Sequence, residues 1–525
     1  MARLPLSIQA IESSCCVTVP DNKKRKAYSI WMWVLTFFIY CSYHLSRKPI
    51  SVVKNVLNQN CTDLPPPEPN PNNSHWCDWK PFDKDNSATL LGIVDSSFLF
   101  AYAIGMFASG FIAERMDLRI FLSVGMIFSG IFCAMFGLGK SFNIHQLWFY
   151  IVAQILCGLM QTTGWPGVVT ALGNWFGKGN RGLIFGIWNS HTSLGNILGT
   201  LIAAAFVSNQ WSLSFIIPGV IISSMGIITL FFMVPLPEMV GLPNPNANYE
   251  CEGESPPPRR RNIEPHVEVS EDETAALLSE ESPAVSYVGK EKEEETRNQN
   301  EAEEEKAIGF FAALKIPGVI EFSLCLFFAK LVSYTFLYWL PNYILNNTPY
   351  SAEESANLST FFDVGGIAGG ILAGVLSDKT GMSASTCIVM LIVAIPMMFI
   401  YQAFCAVSLG LNIFLLLVVG LLVNGPYALI TTAVSADLGT HECLKGNAKA
   451  LATVTAIIDG TGSIGAAVGP MIAGPISAAG WDYVFYMLMF SDLIALILLL
   501  RLGMHEMNNW WVERRRRRNT LLTPI

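Results

Sequence analysis

The sequence predicts an all-α polytopic membrane protein with twelve transmembrane helices in two six-helix bundles, and three observations lead there. The 525-residue chain is 52% hydrophobic and only 14% charged, whereas a soluble domain carries about 25% charged residues. Its apolar side chains therefore exceed what one aqueous core can hold. Runs of about 20 mostly apolar residues, enough to cross a bilayer, recur along almost the whole length. A single long polar stretch divides those runs into two sets of six.

The elements follow in chain order. The first run opens near Ser29, behind Lys23, Lys24, Arg25 and Lys26, and lacks a small-residue cleavage site, so it reads as a retained helix preceded by residues 1–27. The first bundle, 28–236, holds helices at 28–56, 87–114, 118–139, 146–175, 180–207 and 212–235, with a long loop over 57–86. Residues 237–308 contain Ser255 to Pro258, Arg259 to Arg261 and repeated Glu; low hydrophobicity with high charge reads as a disordered linker. Most of the acid behind the formal net charge of −8 sits there. The second bundle, 309–505, holds helices at 316–345, 350–377, 383–407, 411–437, 447–476 and 481–505, and residues 506–525 form a basic tail.

Short-loop Lys and Arg favour the cytoplasmic side. That rule places both termini, the Glu114-to-Arg119 turn, Lys178 with Arg181, and Arg514 to Arg518 in the cytosol, with loop 57–86 on the other face. The loop carries Asn60-Cys61-Thr62 and Asn72-Asn73-Ser74, which fit the glycosylation acceptor pattern at Asn60 and Asn72. It also holds Cys61 and Cys77, for which a disulfide suits an oxidising compartment.

Two segments repeat at matching places in the halves: Gly110 to Arg119 after the second helix and Gly374 to Gly381 after the eighth. Each joins a helix-ending glycine to an acid and a base, as a tight charge-locked turn requires. With the central linker, this recurrence resembles the major facilitator superfamily, whose two bundles rock about a central site.

Ionisable residues at membrane depth are candidates for function, because each is costly unless it meets a partner or a wet cavity. Tyr40, His44 and Arg47 stand at i, i+4 and i+7 and share one helical face, with Tyr43 and Lys48 beside them. The planar donor fork of Arg47 matches phosphate oxygens, and tyrosine hydroxyls add uncharged donors. The alternative is that Arg47 and Lys48 mark a helix end and snorkel to the interface. Asp363, beside Gly365, Gly366, Gly369 and Gly370, is a candidate to neutralise a site cation, the glycines serving helix packing. Asp95 and Asp459 are either sugar-hydroxyl acceptors or paired structural acids. Trp165, Tyr334 and Tyr338 either line a sugar site or pack.

The Tyr43-His44-Leu45-Ser46-Arg47-Lys48 element, Gln161 to Pro166, Trp339 to Tyr343 and Asn424-Gly425-Pro426 resemble the organophosphate:phosphate antiporters over nearly the whole chain outside loop and linker. Arg181-Gly182 and Trp188-Asn189 fit that family's signature, whereas His191 comes one residue early and Asn196 replaces its second glycine. The first-helix wording and the cysteine-bearing loop are similar to the animal sugar-phosphate exchangers, solute carrier family 37, nearest its first two members. The resemblance implies exchange of glucose-6-phosphate for inorganic phosphate in the endoplasmic reticulum, with Asn189 and His191 at the site. Where the family has a second cation this chain has Ser333; Lys330, one turn earlier, is expected to reach the same phosphate.

The bilayer and the two phosphate compounds are the expected partners, with no cofactor, metal or nucleic acid, and a dimer is left open. No loop shows the His, Arg and acid cluster of a membrane phosphatase. A non-transporting protein on the same fold and a carrier of another organic anion are the alternatives. Arg514 to Arg518 suit either retention or anionic lipid, and Glu273 to Leu278 fits an acidic dileucine pattern that points instead to an endolysosomal membrane.

Overall fold

The computed structural model describes residues 5, 8–9, 20–57, 77–113, 116–176, 187–243, 310–435, 438 and 448–522. The spans are α1a (Asp21–Arg47) with α1b (Pro49–Leu57), α2 (Ser87–Ala113), α3 (Leu118–Ser141), α4a (Leu147–Gln161) with α4b (Gly164–Trp175), α5 (His191–Gln210) and α6 (Leu213–Phe232). After the linker come α7 (Val319–Asn347), α8 (Ala352–Thr380), α9 (Ser383–Phe404), α10 (Leu409–Leu429), α11 (Ala448–Ala479) and α12 (Trp481–Leu522). Among the described residues, eleven helices are long and apolar enough to cross a membrane. The twelfth is α1, which carries Arg47, Lys48 and Lys54 and buries all three inside the protein.

The α1 helix does not stop at Pro49. Lys48, between its two parts, keeps right-handed helical angles (φ −75°, ψ −29°), and Pro49 removes one N–H from the ladder without turning the chain out. The Leu45 carbonyl that loses this donor faces Gly199 of α5, where a side chain would collide with it.

The two bundles are built alike. In the first, α1 packs on α5, α2 on α4 and α3 on α6; in the second, α7 packs on α11, α8 on α10 and α9 on α12. Glycines make the tightest of these approaches. A Cβ at Gly195 of α5 would strike the Cys41 carbonyl, and one at Gly465 of α11 would strike that of Phe327, at corresponding places in the two halves. Gly365, Gly369 and Gly420 close α8 on α10 in the same manner.

An even number of spans puts the start of α1 and the end of α12 on one face, the terminal face, and residues 77–86 on the other, the loop face. The bundles are fused near the loop face. One apolar cluster there joins Ile50, Leu57 and Phe98 of the first bundle to Leu337, Trp339 and Phe362 of the second. Toward the terminal face the apolar cores part, one holding Met32, Leu122, Trp175 and Ile222 and the other Phe322, Met390, Ile430 and Leu499. Large apolar side chains on the outer faces, such as Phe128, Val220, Val389, Phe414 and Ile497, are exposed, as lipid contact requires.

Two segments depart from the sequence expectation. α12 runs to Leu522 rather than ending at 505. Its Glu506 accepts from the Ala384 and Ser385 backbone N–H groups at 2.9 and 2.8 Å and so caps α9, whose own N-terminal residue supplies no cap. The start of the expected linker is also structured: Pro237–Val240 form a short helical turn, and Lys24 and Arg25 donate to the carbonyls of Val240 and Pro243. Cys77 is disulfide-bonded, while Asn60, Cys61, Asn72, Lys178, Arg181 and residues 244–309 lie outside the described residues.

Candidate functional site

Among the described residues, four buried cations converge where the bundles meet, and their surroundings differ. Lys54 forms an ion pair with Asp95 of α2, 3.9 Å above the Trp339 ring, and also donates to the Tyr338 carbonyl at 3.2 Å. Lys48 donates to the Leu337 carbonyl at 2.9 Å, with Asp363 4.0 Å away. Pro341, one turn further along α7, has no N–H to offer Leu337, so the lysine of the other bundle takes that place. Lys330 donates to Asp459 of α11 at 2.7 Å.

Arg47 alone among the four has no acid. It is 6% exposed. Its Nε donates to Gln161 Oε1 at 2.6 Å, Gln161 in turn donates to Ser46 Oγ at 2.9 Å, and the guanidinium lies 4.8 Å from the Tyr102 ring centre. Its Nη2 is buried with no partner. A guanidinium held by neutral groups with a free donor is prepared for an anion, because a charge left unpaired in the interior is costly. It lines a small chamber with Ser46, Gln154, Phe98 and Tyr338, on the loop-face side.

A larger cleft of about 710 Å³, part of it open to solvent, lies between the bundles on the terminal-face side. Its polar lining is mostly uncharged: Asn189, Ser190, Thr192, Ser193 and Asn196 from one bundle, Ser333, Asn424 and Thr432 from the other, with His44, Tyr334, Tyr427 and Asp363. Asn196 donates to Asp363 at 2.9 Å across the bundle interface, and Ser333 donates to Asn424 at 2.6 Å. Hydroxyls and amides at this density suit hydroxyl-bearing ligands.

The structure thus brings together His44, Asn189, Tyr334 and Asp363 at the cleft and Arg47 in the deeper chamber. Tyr40, Tyr43, Trp165 and His191 stand behind them as an aromatic block: Tyr40 lies 4.6 Å from His191 and 5.3 Å from Trp165, and the Tyr43 hydroxyl is 2.9 Å from that of Thr163. His191 is fully buried and packs against Trp188 at 4.3 Å. Thr192 lines the cleft in its stead, with His191 Nδ1 3.2 Å from its hydroxyl. One residue of helical phase, about 100°, separates the two positions. Asp95 and Asp459 are both paired acids. Lys54 was not among the sequence candidates, although it stands at i+7 from Arg47 on the same face. Gln161 was legible as the first residue of the Gln161-to-Pro166 motif but not as a partner of Arg47, and Tyr102 only as an uncharged residue of another helix.

The chain belongs to the Major Facilitator Superfamily, a class of membrane transporters whose family model matches residues 32–442. Within it the chain is a member of the glucose-6-phosphate exchanger family. It is 55% identical to glucose-6-phosphate exchanger SLC37A2 of Bos taurus over 92% of this chain and 95% of that one. It is 55% identical to that of Homo sapiens over 91% and 93% of the two chains, and 49% identical to glucose-6-phosphate exchanger SLC37A1 of Homo sapiens over 97% of each. A bacterial homologue of the human lysosomal transporter Spinster, solved inward-facing and unoccupied, superposes with a TM-score of 0.56 at 16% identity over 91% of this chain and 96% of that one, which concerns the fold alone.

Proposed function

We propose that this protein exchanges a sugar phosphate, glucose-6-phosphate in the first instance, for inorganic phosphate by rocking its two bundles about the central site. The observation that carries the reading is Arg47: buried, without an acid, and with Nη2 free among donors and aromatic rings. Arg47 holds the phosphate, and the hydroxyl- and amide-rich cleft beside it takes the sugar. Tyr40, Tyr43, Trp165 and His191 shape the wall, while Lys48 and Asp363 join the bundles. A phosphate that neutralises Arg47 lowers the cost of moving this charge through a changing environment, so exchange is favoured over unaccompanied flow.

The termini face the cytosol and loop 57–86 the lumen of the endoplasmic reticulum, with an endolysosomal membrane as the alternative address. Glycans at Asn60 and Asn72 and a Cys61–Cys77 disulfide belong to that lumenal loop.

The test is uptake of labelled phosphate into proteoliposomes containing phosphate, glucose-6-phosphate or neither. Uptake that requires an internal phosphate compound is expected, with loss of more than tenfold in Arg47→Ala. Folded wild-type protein that takes up no phosphate overturns the exchanger. Indifference of organic anion transport to phosphate competition selects the carboxylate carrier.

A further inference from the structure

Arg47 and Lys330, from opposite bundles, stand at the two ends of one row of tyrosines. Arg47 shares its chamber with Tyr338, whose ring centre is 6.4 Å from that of Tyr334, and Tyr334 is 6.5 Å from Tyr427, the ring beside Lys330. Only Lys330 already has an anion: Asp459 Oδ1 accepts from its Nζ at 2.7 Å, and the two residues are 4% and 6% exposed. The lysine is laid along α11 to meet it. Its stem crosses the helix at Gly462, where a Cβ would stand 2.9 Å from Lys330 Cδ. Its ammonium lies 5.5 Å from the ring centre of Tyr427, which lines the cleft, so the ion pair is one ring away from the ligand space.

Across that row of rings from Arg47, the nearest cation of the other bundle is thus one occupied by a carboxylate. Building on the exchange reading above, we propose that Asp459 is a resident counter-ion which the substrate's phosphate displaces from Lys330, and which recaptures that lysine when phosphate leaves. The ion pair keeps the empty carrier from holding two uncompensated cations. It also opposes tight binding, because a buried carboxylate repels phosphate and competes for the same ammonium. Asp459 acts through Lys330 and is a positioning residue: it sets how strongly the site retains phosphate and how readily it releases it.

The experiment measures phosphate exchange kinetics in proteoliposomes, together with the phosphate-dependent shift in thermal unfolding of the purified full chain. Asp459→Asn frees Lys330, so KM for phosphate is expected to fall by an order of about tenfold, the coupling typical of charges in one buried network. The turnover number falls with it, and the thermal shift saturates at lower phosphate. Asp459→Glu, which keeps the charge, returns KM toward the wild-type value. Lys330→Met leaves the carboxylate facing the phosphate and raises KM.

Should Asp459→Asn give no folded protein, the double variant Lys330→Met with Asp459→Asn, which buries no lone charge, carries the test through a KM below that of Lys330→Met. A KM unchanged or raised in folded Asp459→Asn, with wild-type exchange intact, overturns the counter-ion role and leaves the exchanger standing. Absence of exchange in the wild type is failure of the exchanger instead.

Discussion

Arg47 and Lys48 are neighbours in the chain, yet they meet different chemistry because a helix turns about 100° between them. Lys48 is directed at α7, where a proline-freed carbonyl and Asp363 receive it. Arg47 is directed into its own bundle, where Gln161 steadies one edge of the guanidinium and leaves Nη2 free. Arg47→Lys keeps the charge but loses the fork that serves Gln161 and the phosphate together. It is expected to retain less than a tenth of wild-type exchange while giving normal yields of folded protein.

Lys54 behaves differently, since its partner is internal. Lys54→Met leaves Asp95 buried and unpaired and is expected to destabilise by about 3–5 kcal/mol, with recovery when Asp95→Asn is added. Thermal unfolding in detergent measures both. Equal stability of the single and double variants contradicts the pairing.

At the scale of elements, the helices are shaped by where backbone bonds are missing. Pro49 in α1 and Pro341 in α7 each free a carbonyl, that of Leu45 and that of Leu337. One faces Gly199 and the other takes a lysine from the opposite bundle. Glycines set how near the axes come: Gly465→Leu would drive a side chain into the Phe327 carbonyl and is expected to abolish folded protein, judged by size-exclusion profile.

The extension of α12 follows similar logic. At about 1.5 Å per residue its 42 residues span about 63 Å, twice the hydrocarbon thickness. It is tied to α9 by the Glu506 cap. Glu506→Ala is expected to cost about 1 kcal/mol, a few degrees in Tm at most, with exchange kinetics unchanged.

At the scale of the molecule, the bundles are joined at the loop face and parted at the terminal face. The seam runs along α2 and α11, where Ser96 donates to the Ala467 carbonyl at 3.3 Å and Gly92 lies against Gly474. Rocking must break this seam to admit substrate from the loop face. A Ser96→Cys, Ala467→Cys pair bridged by a short bifunctional thiol reagent that reduction cleaves is therefore expected to stop exchange until reduction, with wild type carried through the same treatment as the control. Undiminished exchange in fully cross-linked protein removes the seam from the transport cycle.

Much of this architecture was legible in order along the chain. Apolar run lengths report membrane spans because lipid enforces both length and internal hydrogen bonding. The repeated turns and the central acidic stretch reported two like halves. Arg47 was legible because one charge in an apolar helix stands out against its neighbours. The length of α12 was not, because residues 506–522 read as a polar basic tail and the Glu506 contact that ties them to α9 joins residues more than 120 apart in the chain.

Sequence by itself determined the number of spans, the membrane as solvent and the presence of Arg47 on a buried face, since all three depend on local composition and helical period. Tertiary structure decided which cation stays open. Asp95, Asp363 and Asp459 lie 41, 315 and 129 residues from the lysines they face, and no local pattern pairs groups so distant. Packing of α2, α8 and α11 against α1 and α7 brings those acids within reach of Lys54, Lys48 and Lys330, and leaves Arg47 with neutral partners and a free donor.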